Sequence, residues 1–206
     1  MTTHILKLNC PDAVGLLARV TGFIAASGGN LLDVSQYTDT ASKWFFARLA
    51  FTGGRIESAP ETFRDEAEKL AIEMSAEWTL RPAVRPVRTV ILVSKEDHCI
   101  ADLLWRWRSR ELNIDIPAVI SNHNAARSLV ERGVKLIGAT CHYATEDLDE
   151  GPIIEQEVSR VEHYHEPEDL VRLGRDCERL ALARGVRYHV EDRVLVYGNR
   201  AIVFRD

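Results

Sequence analysis

The residues best suited to chemistry sit in one acidic stretch, Thr145-Glu146-Asp147-Leu148-Asp149-Glu150-Gly151-Pro152. Asp147 and Asp149 stand at alternate positions, so one loop presents two carboxylates. A carboxylate in such a place can hold a water molecule or take part in proton transfer. The same pattern also describes an acidic turn exposed to water, and residue type and spacing leave both readings open. The loop is flanked by two apolar runs, Val134 to Tyr143 and Ile153 to Val158, which predict strand, acidic loop, strand. Gly151-Pro152 is expected to fix the loop's exit, Gly by allowing a positive φ and Pro by holding the next φ near its preferred value.

Further polar residues stand where an open α/β sheet would bind a ligand. Thr89 to Val93 is wholly apolar, as expected of a parallel strand buried on both faces. It runs into SKEDHCIADLLWRWRSRELN, whose Ile100, Leu103, Leu104 and Trp107 predict one apolar helix face. Ligands in such sheets meet the carboxyl ends of strands, which singles out Ser94, Lys95, Asp97 and His98. His98 can be read as a general base or as a polar residue at the start of the helix. Trp105 and Trp107 lie on different sides of that helix, which favours core or interface packing over base stacking. A second strand, Ile114 to Ile120, ends in Ser121-Asn122-His123. His163 and His165 form an HxH pair, but no third ligand lies at a diagnostic spacing and no metal site is expected. Neither a Gly-rich phosphate loop nor a GxSxG elbow occurs. Pro167 opens an amphipathic helix with Leu170, Leu173, Cys177, Leu180, Leu182 and Val186 as its buried positions. A hairpin of Arg193 to Val196 and Ala201 to Phe204 follows.

The first part of the chain alternates differently. Ile5 to Leu8 predicts a strand, Asp12 a helix N-cap, and Leu16, Leu17, Val20, Phe23 and Ile24 a helix that stops at Ser27-Gly28-Gly29-Asn30. Strands at Leu31 to Tyr37 and Trp44 to Phe51, a helix from Ala59 to Met74 and a strand from Ala76 to Arg81 complete the order βαββαβ, a ferredoxin-like arrangement. Arg81 to Arg88, with Pro82 and Pro86, reads as a solvated linker. The boundary is therefore expected near residue 84, with domains 1–84 and 85–206.

At 206 residues and 46% hydrophobic content the chain can bury a real core. A net charge of -5 gives no electrostatic reason to expect nucleic acid, and a small ligand is expected instead. The four cysteines, Cys10, Cys99, Cys141 and Cys177, are widely spaced with no CxxC, which points to a reducing, cytoplasmic setting. No run approaches about 18 uninterrupted apolar residues, so no membrane partner is expected.

ATCHYATEDLDEGPIIEQ, with RGVKLIGAT before it, resembles the folate-dependent formyltransferase and deformylase family, most closely its deformylase branch. VSKEDHCIADLLWRW and the C-terminal tail resemble the same branch. CPDAVGLLARVTGFIAASGGNLLDVSQY resembles an ACT domain, a regulatory module that commonly binds amino acids at dimer interfaces. The resemblance implies an α+β ferredoxin-like ACT domain followed by an α/β, Rossmann-like formyltransferase domain. It also implies hydrolysis of 10-formyltetrahydrofolate to formate and tetrahydrofolate, in one-carbon and purine metabolism, with folate as substrate and no cofactor. Asp149 falls at the catalytic carboxylate, with His142, Thr145 and Asp147 as substrate contacts. Asp12, Gly15 and Asn30 would lie near an amino-acid effector, in a homo-oligomer paired through the ACT domain. Two plainer roles stay open: Gly15 allowing helix-to-sheet contact and Asn30 turning the chain.

One part of the family pattern is missing. Relatives carry an Asn-x-His pair on a further strand, whereas this sequence passes from Ser121-Asn122-His123 almost directly to Gly133. The absent part amounts to two or three units of roughly 30 residues. The expected result is a reduced sheet of about four strands, geometrically allowed by a crossover of just over ten residues. Loss of a single oxyanion donor costs about 10²–10³ in rate, so the chain alone is expected to show little activity. The competing reading is a non-catalytic, effector-binding or dimerising ACT protein with a degenerate folate domain; an internally deleted gene is a third.

Overall fold

The computed structural model describes residues 2–93, 98–121, 136–147, 149–162 and 164–205. Two compact units result, one reaching Arg85 and including the last residues from Phe204, the other spanning Pro86–Val203.

The first unit runs β1 (Thr3–Pro11), α1 (Leu16–Ala26), β2 (Asn30–Asp39), β3 (Trp44–Thr52), the short α2 (Arg55–Ser58), α3 (Pro60–Met74) and β4 (Glu77–Pro82). Its sheet has the order β2-β3-β1-β4, and every pairing is antiparallel. Leu6, Leu8 and Cys10 of β1 and Phe45, Ala47, Leu49 and Phe51 of β3 alternate onto the face that α1 and α3 cover with Val20, Ile24, Phe63 and Ala67. Phe23 of α1 meets Phe63 of α3 at 4.9 Å between ring centroids. An apolar gap of about 20 Å³, room for about one water molecule, remains among Leu8, Val20, Phe23, Ala71 and Trp78. Arg81 and Pro82 belong to β4 rather than to a linker. Pro is tolerated there because β4 is an edge strand. Asp12 is not the N-cap of α1: that position is Gly15 at φ 85°, and no side chain caps the helix.

In the second unit β5 (Val87–Val93), α4 (His98–Arg108) and β6 (Ile114–Ser121) form a β-α-β unit with parallel strands. β7 (Leu136–His142) and β8 (Ile153–Arg160) form an antiparallel hairpin, α5 (Pro167–Val190) follows, and β9 (Val194–Tyr197) and β10 (Arg200–Val203) close the chain around Gly198. The expected continuous sheet of about four strands is replaced, among the described residues, by separate two-stranded ladders. What joins the ladders is α5. Leu182, Val186 and Val190 pack with Ile91, Leu103, Leu112 and Ile114, while Tyr188 packs with Ile154 and Val194.

The buried line of α5 differs from the expected one. Cys177 is buried as expected, but Ala181 and Tyr188 are buried with it, whereas Leu170, Leu173, Leu180, Leu182 and Val186 are only half-buried. The reason is close approach: a Cβ on Gly185 would lie 2.3 Å from Cys141 Sγ, so small residues at the helical repeat let α5 sit against β7. β5 is buried on one face only, with Val90 50% and Leu92 75% exposed. Trp105 is 63% exposed, which excludes core packing for it and leaves the interface alternative. No helix among the described residues is long and apolar enough to cross a membrane.

Gly174 and Gly185 make opposite predictions. Nothing lies within 4 Å of a Cβ at Gly174, so Gly174→Ala should raise the urea midpoint, by up to about 1 kcal/mol in stability from helix propensity. Gly185→Ala should lower it by about 1–3 kcal/mol through overpacking against Cys141. Equal shifts in the two variants would show that α5 does not depend on this approach.

Candidate active site

The candidate site is the loop between β7 and β8. His142 ends β7, and the backbone N–H of Tyr143 donates to the Pro152 carbonyl at 3.0 Å, closing the hairpin beneath the acidic residues. Gly151 is required there for a reason other than a positive φ. Its φ lies outside the left-handed region, but a Cβ would fall 1.6 Å from the Tyr143 carbonyl oxygen. Among the described residues of the loop, the left-handed one is Asp149 itself, at φ 60°. Asp is among the few side chains that enter this region readily.

The closure aims two of the expected residues at each other. His142 Nδ1 lies 2.8 Å from the Tyr143 carbonyl, which can only accept, so this nitrogen carries a proton. The other ring nitrogen, Nε2, is 3.5 Å from Asp149 Oδ1. The imidazole is partly sheltered, at 24% exposed, whereas the carboxylate stands out at 80%. Thr145 Oγ1 donates to the Asp147 carbonyl at 2.9 Å, which shapes the loop and leaves its hydroxyl only lone pairs for any further contact. The Asp147 side chain is exposed. Tyr143 Oη meets His189 Nδ1 of α5 at 2.9 Å, and burial followed by the nearby Cys141 and Asp192 pushes the Tyr143 phenol up, keeping it protonated. Nothing in the spacing of the sequence signals the Tyr143–His189 contact, because α5 returns to the hairpin only in three dimensions.

The other candidates separate. His98 begins α4, and its Nε2 is 2.8 Å from Glu178 Oε2. Ser94, Lys95, Asp97, Asn122, His123 and His163 lie outside the described residues. His165 Nδ1 accepts from the Glu162 N–H at 3.0 Å, a local turn contact. In the first unit Asp12 and Gly15 precede α1 while Asn30 follows it, at the far end of an 11-residue helix about 16 Å long. A Cβ on Gly15 would meet nothing within 4 Å, so this glycine serves its positive φ and not helix-to-sheet packing.

The ACT domain pattern matches residues 4–60 and the formyl transferase pattern residues 124–186. The chain is 33% identical to a formyltetrahydrofolate deformylase from Synechocystis sp., in an alignment covering 98% of each. The chain belongs to the formyltetrahydrofolate deformylase family. Its structure is similar to that of a formyltetrahydrofolate deformylase from Pseudomonas syringae pv. tomato, with a TM-score of 0.88 at 36% identity, covering 100% of this chain and 95% of that one. The deformylase from Burkholderia mallei gives a TM-score of 0.88 at 29% identity, covering 100% of both. The Synechocystis alignment extends over 279 positions although this chain has 206 residues, so the deformylase relative carries more than seventy positions that have no counterpart here.

Gly151→Ala tests the closure. The variant should lose stability toward the upper end of about 1–3 kcal/mol, because the added Cβ must displace the Tyr143 carbonyl. Its His142 ring resonances should shift as the Nδ1–H loses its acceptor; an unchanged imidazole spectrum would show that the ring is oriented by something else.

Proposed function

We propose that this chain hydrolyses 10-formyltetrahydrofolate to formate and tetrahydrofolate, with Asp149 as the catalytic carboxylate and His142 as its partner. The observation that carries the reading is the pairing of these two side chains at 3.5 Å on a closed hairpin, in a chain of the deformylase family. A water oxygen bonds to the formyl carbon while one of its protons passes to the Asp149 carboxylate. The carbonyl oxygen becomes an oxyanion. Collapse of this intermediate breaks the C–N bond as the leaving nitrogen takes the proton held by Asp149, which restores the carboxylate; the second water proton goes to solvent as formate and tetrahydrofolate separate. Asp149 cannot stabilise the oxyanion, since both are negative. A protonated His142 can once Asp149 has taken the water proton, because its Nε2–H, until then facing that carboxylate, is freed for the oxyanion while Nδ1 stays committed to Tyr143. Thr145 and Asp147 contribute substrate contacts from the same loop.

The unmatched positions of the alignment are assigned to the segment between Ser121 and Gly133, where the family's Asn-x-His would stand. With those donors gone, turnover is slow. The ACT unit takes an amino-acid effector in a homo-oligomer. An effector touching Gly15 and Asn30 together must bridge two copies of the domain, given their separation along α1. A cytoplasmic setting fits four free thiols.

The test is formate release from 10-formyltetrahydrofolate by the purified chain beside Asp149→Asn. Asn also tolerates the left-handed region, so this variant removes the charge and keeps the loop. The parent should exceed a blank, and the variant should fall by at least about 10²-fold. Equal rates in parent, variant and blank would favour the other reading, an ACT protein with a degenerate folate domain, to which the unmatched positions also point.

A further inference from the structure

Two metal-ligand side chains, His98 and Cys99, follow one another at the start of α4, and α5 brings Glu178 to the same place. One donor atom from each residue falls within 4.8 Å of the other two. We propose that His98, Cys99 and Glu178 form a binding site for a borderline-soft divalent cation, Zn²⁺ by preference, which clamps α4 to α5.

The donor set sets the preference. An imidazole, a thiolate and a carboxylate together suit Zn²⁺, whereas Mg²⁺ and Ca²⁺ take oxygen. Zinc bonds of about 2.0–2.3 Å place tetrahedral donors about 3–4 Å apart. His98 Nε2 and Glu178 Oε2 already stand 2.8 Å apart, and one donor atom from each of the three residues lies within 4.8 Å of the others. Three protein ligands leave a fourth position for water.

Among the described residues, the buried His98 Nδ1 has no hydrogen-bond partner. Burial, then the charges of Glu178 and Asp102, push the Cys99 thiol up to about 11, so without a cation it keeps its proton. A dication reverses that balance: the S–H bond breaks, the proton leaves to solvent and the thiolate binds. Asp102 is not a fourth ligand, because Arg106 Nε holds it at 2.7 Å. The donors come from two helices whose apolar faces share one core, so the site is built on packed elements.

The experiment uses the full chain, reduced and stripped of metal with a chelator, then titrated with Co²⁺ and challenged with Zn²⁺. One equivalent of Co²⁺ should develop thiolate-to-metal charge-transfer absorption in the near ultraviolet, and Zn²⁺ should abolish it. Cys99→Ser should lack the band, and Glu178→Gln should weaken Co²⁺ at least about tenfold, as even loss of an outer partner can do. A readout without substitution is alkylation mapped by mass spectrometry. Zn²⁺ should slow labelling of Cys99 at least about tenfold while leaving the half-buried Cys141 unaffected. No band with the parent chain, a band that survives Cys99→Ser, or Cys99 labelling indifferent to Zn²⁺ would each overturn the site and leave a plain His98–Glu178 ion pair.

Discussion

The backbone of Tyr143 serves three purposes at once. Its N–H closes the β7–β8 hairpin on Pro152, its carbonyl takes the proton of His142 Nδ1, and the same carbonyl stands so near Gly151 that no side chain fits there. Orienting the imidazole and closing the loop are therefore one constraint. Given that closure, Asp149 faces His142 Nε2 from a left-handed backbone conformation, one that Asp accepts more readily than bulkier residues. The proposed catalytic carboxylate and the left-handed backbone conformation fall on the same residue.

The hairpin is held by α5, which is also the common support of the second unit. Its Cys177, Ala181 and Gly185 lie four residues apart and present little bulk, while Leu182, Val186 and Val190 turn toward the core of β5, β6 and α4. Dispersion forces reward such close approach over many atoms. Beyond packing, Arg184 of α5 pairs with Glu157 of β8, and His189 of α5 meets Tyr143. The cost of the arrangement shows on β5, where Val90 and Leu92 face outward from a strand whose composition suits burial on both sides. A deformylase relative carries more than seventy positions that have no counterpart in this chain.

Much of this was legible in the sequence because the signals are local. The periodicity of Ile5 to Arg81 gave the βαββαβ order, and the apolar runs around the acidic loop gave a hairpin with Asp149 on its rim. Capping was less legible: Asp12 has the composition of an N-cap, yet the turn into α1 runs through the left-handed Gly15. The buried line of α5 was misread for a related reason. Hydrophobicity marks which side chains gain by burial, and Gly185 has no side chain to be marked.

The sequence by itself determined the elements, the family and the identity of the candidate carboxylate, since each rests on residues near one another in the chain. Tertiary structure alone decided that His142 is Asp149's neighbour, that Gly151 serves a carbonyl and not a torsion angle, and that Glu178 meets His98 across 80 residues of chain. The physical reason is range. Secondary-structure propensity, periodicity and motif spacing report interactions within a few residues, whereas contacts between a hairpin and a distant helix arise only when packing chooses which faces touch.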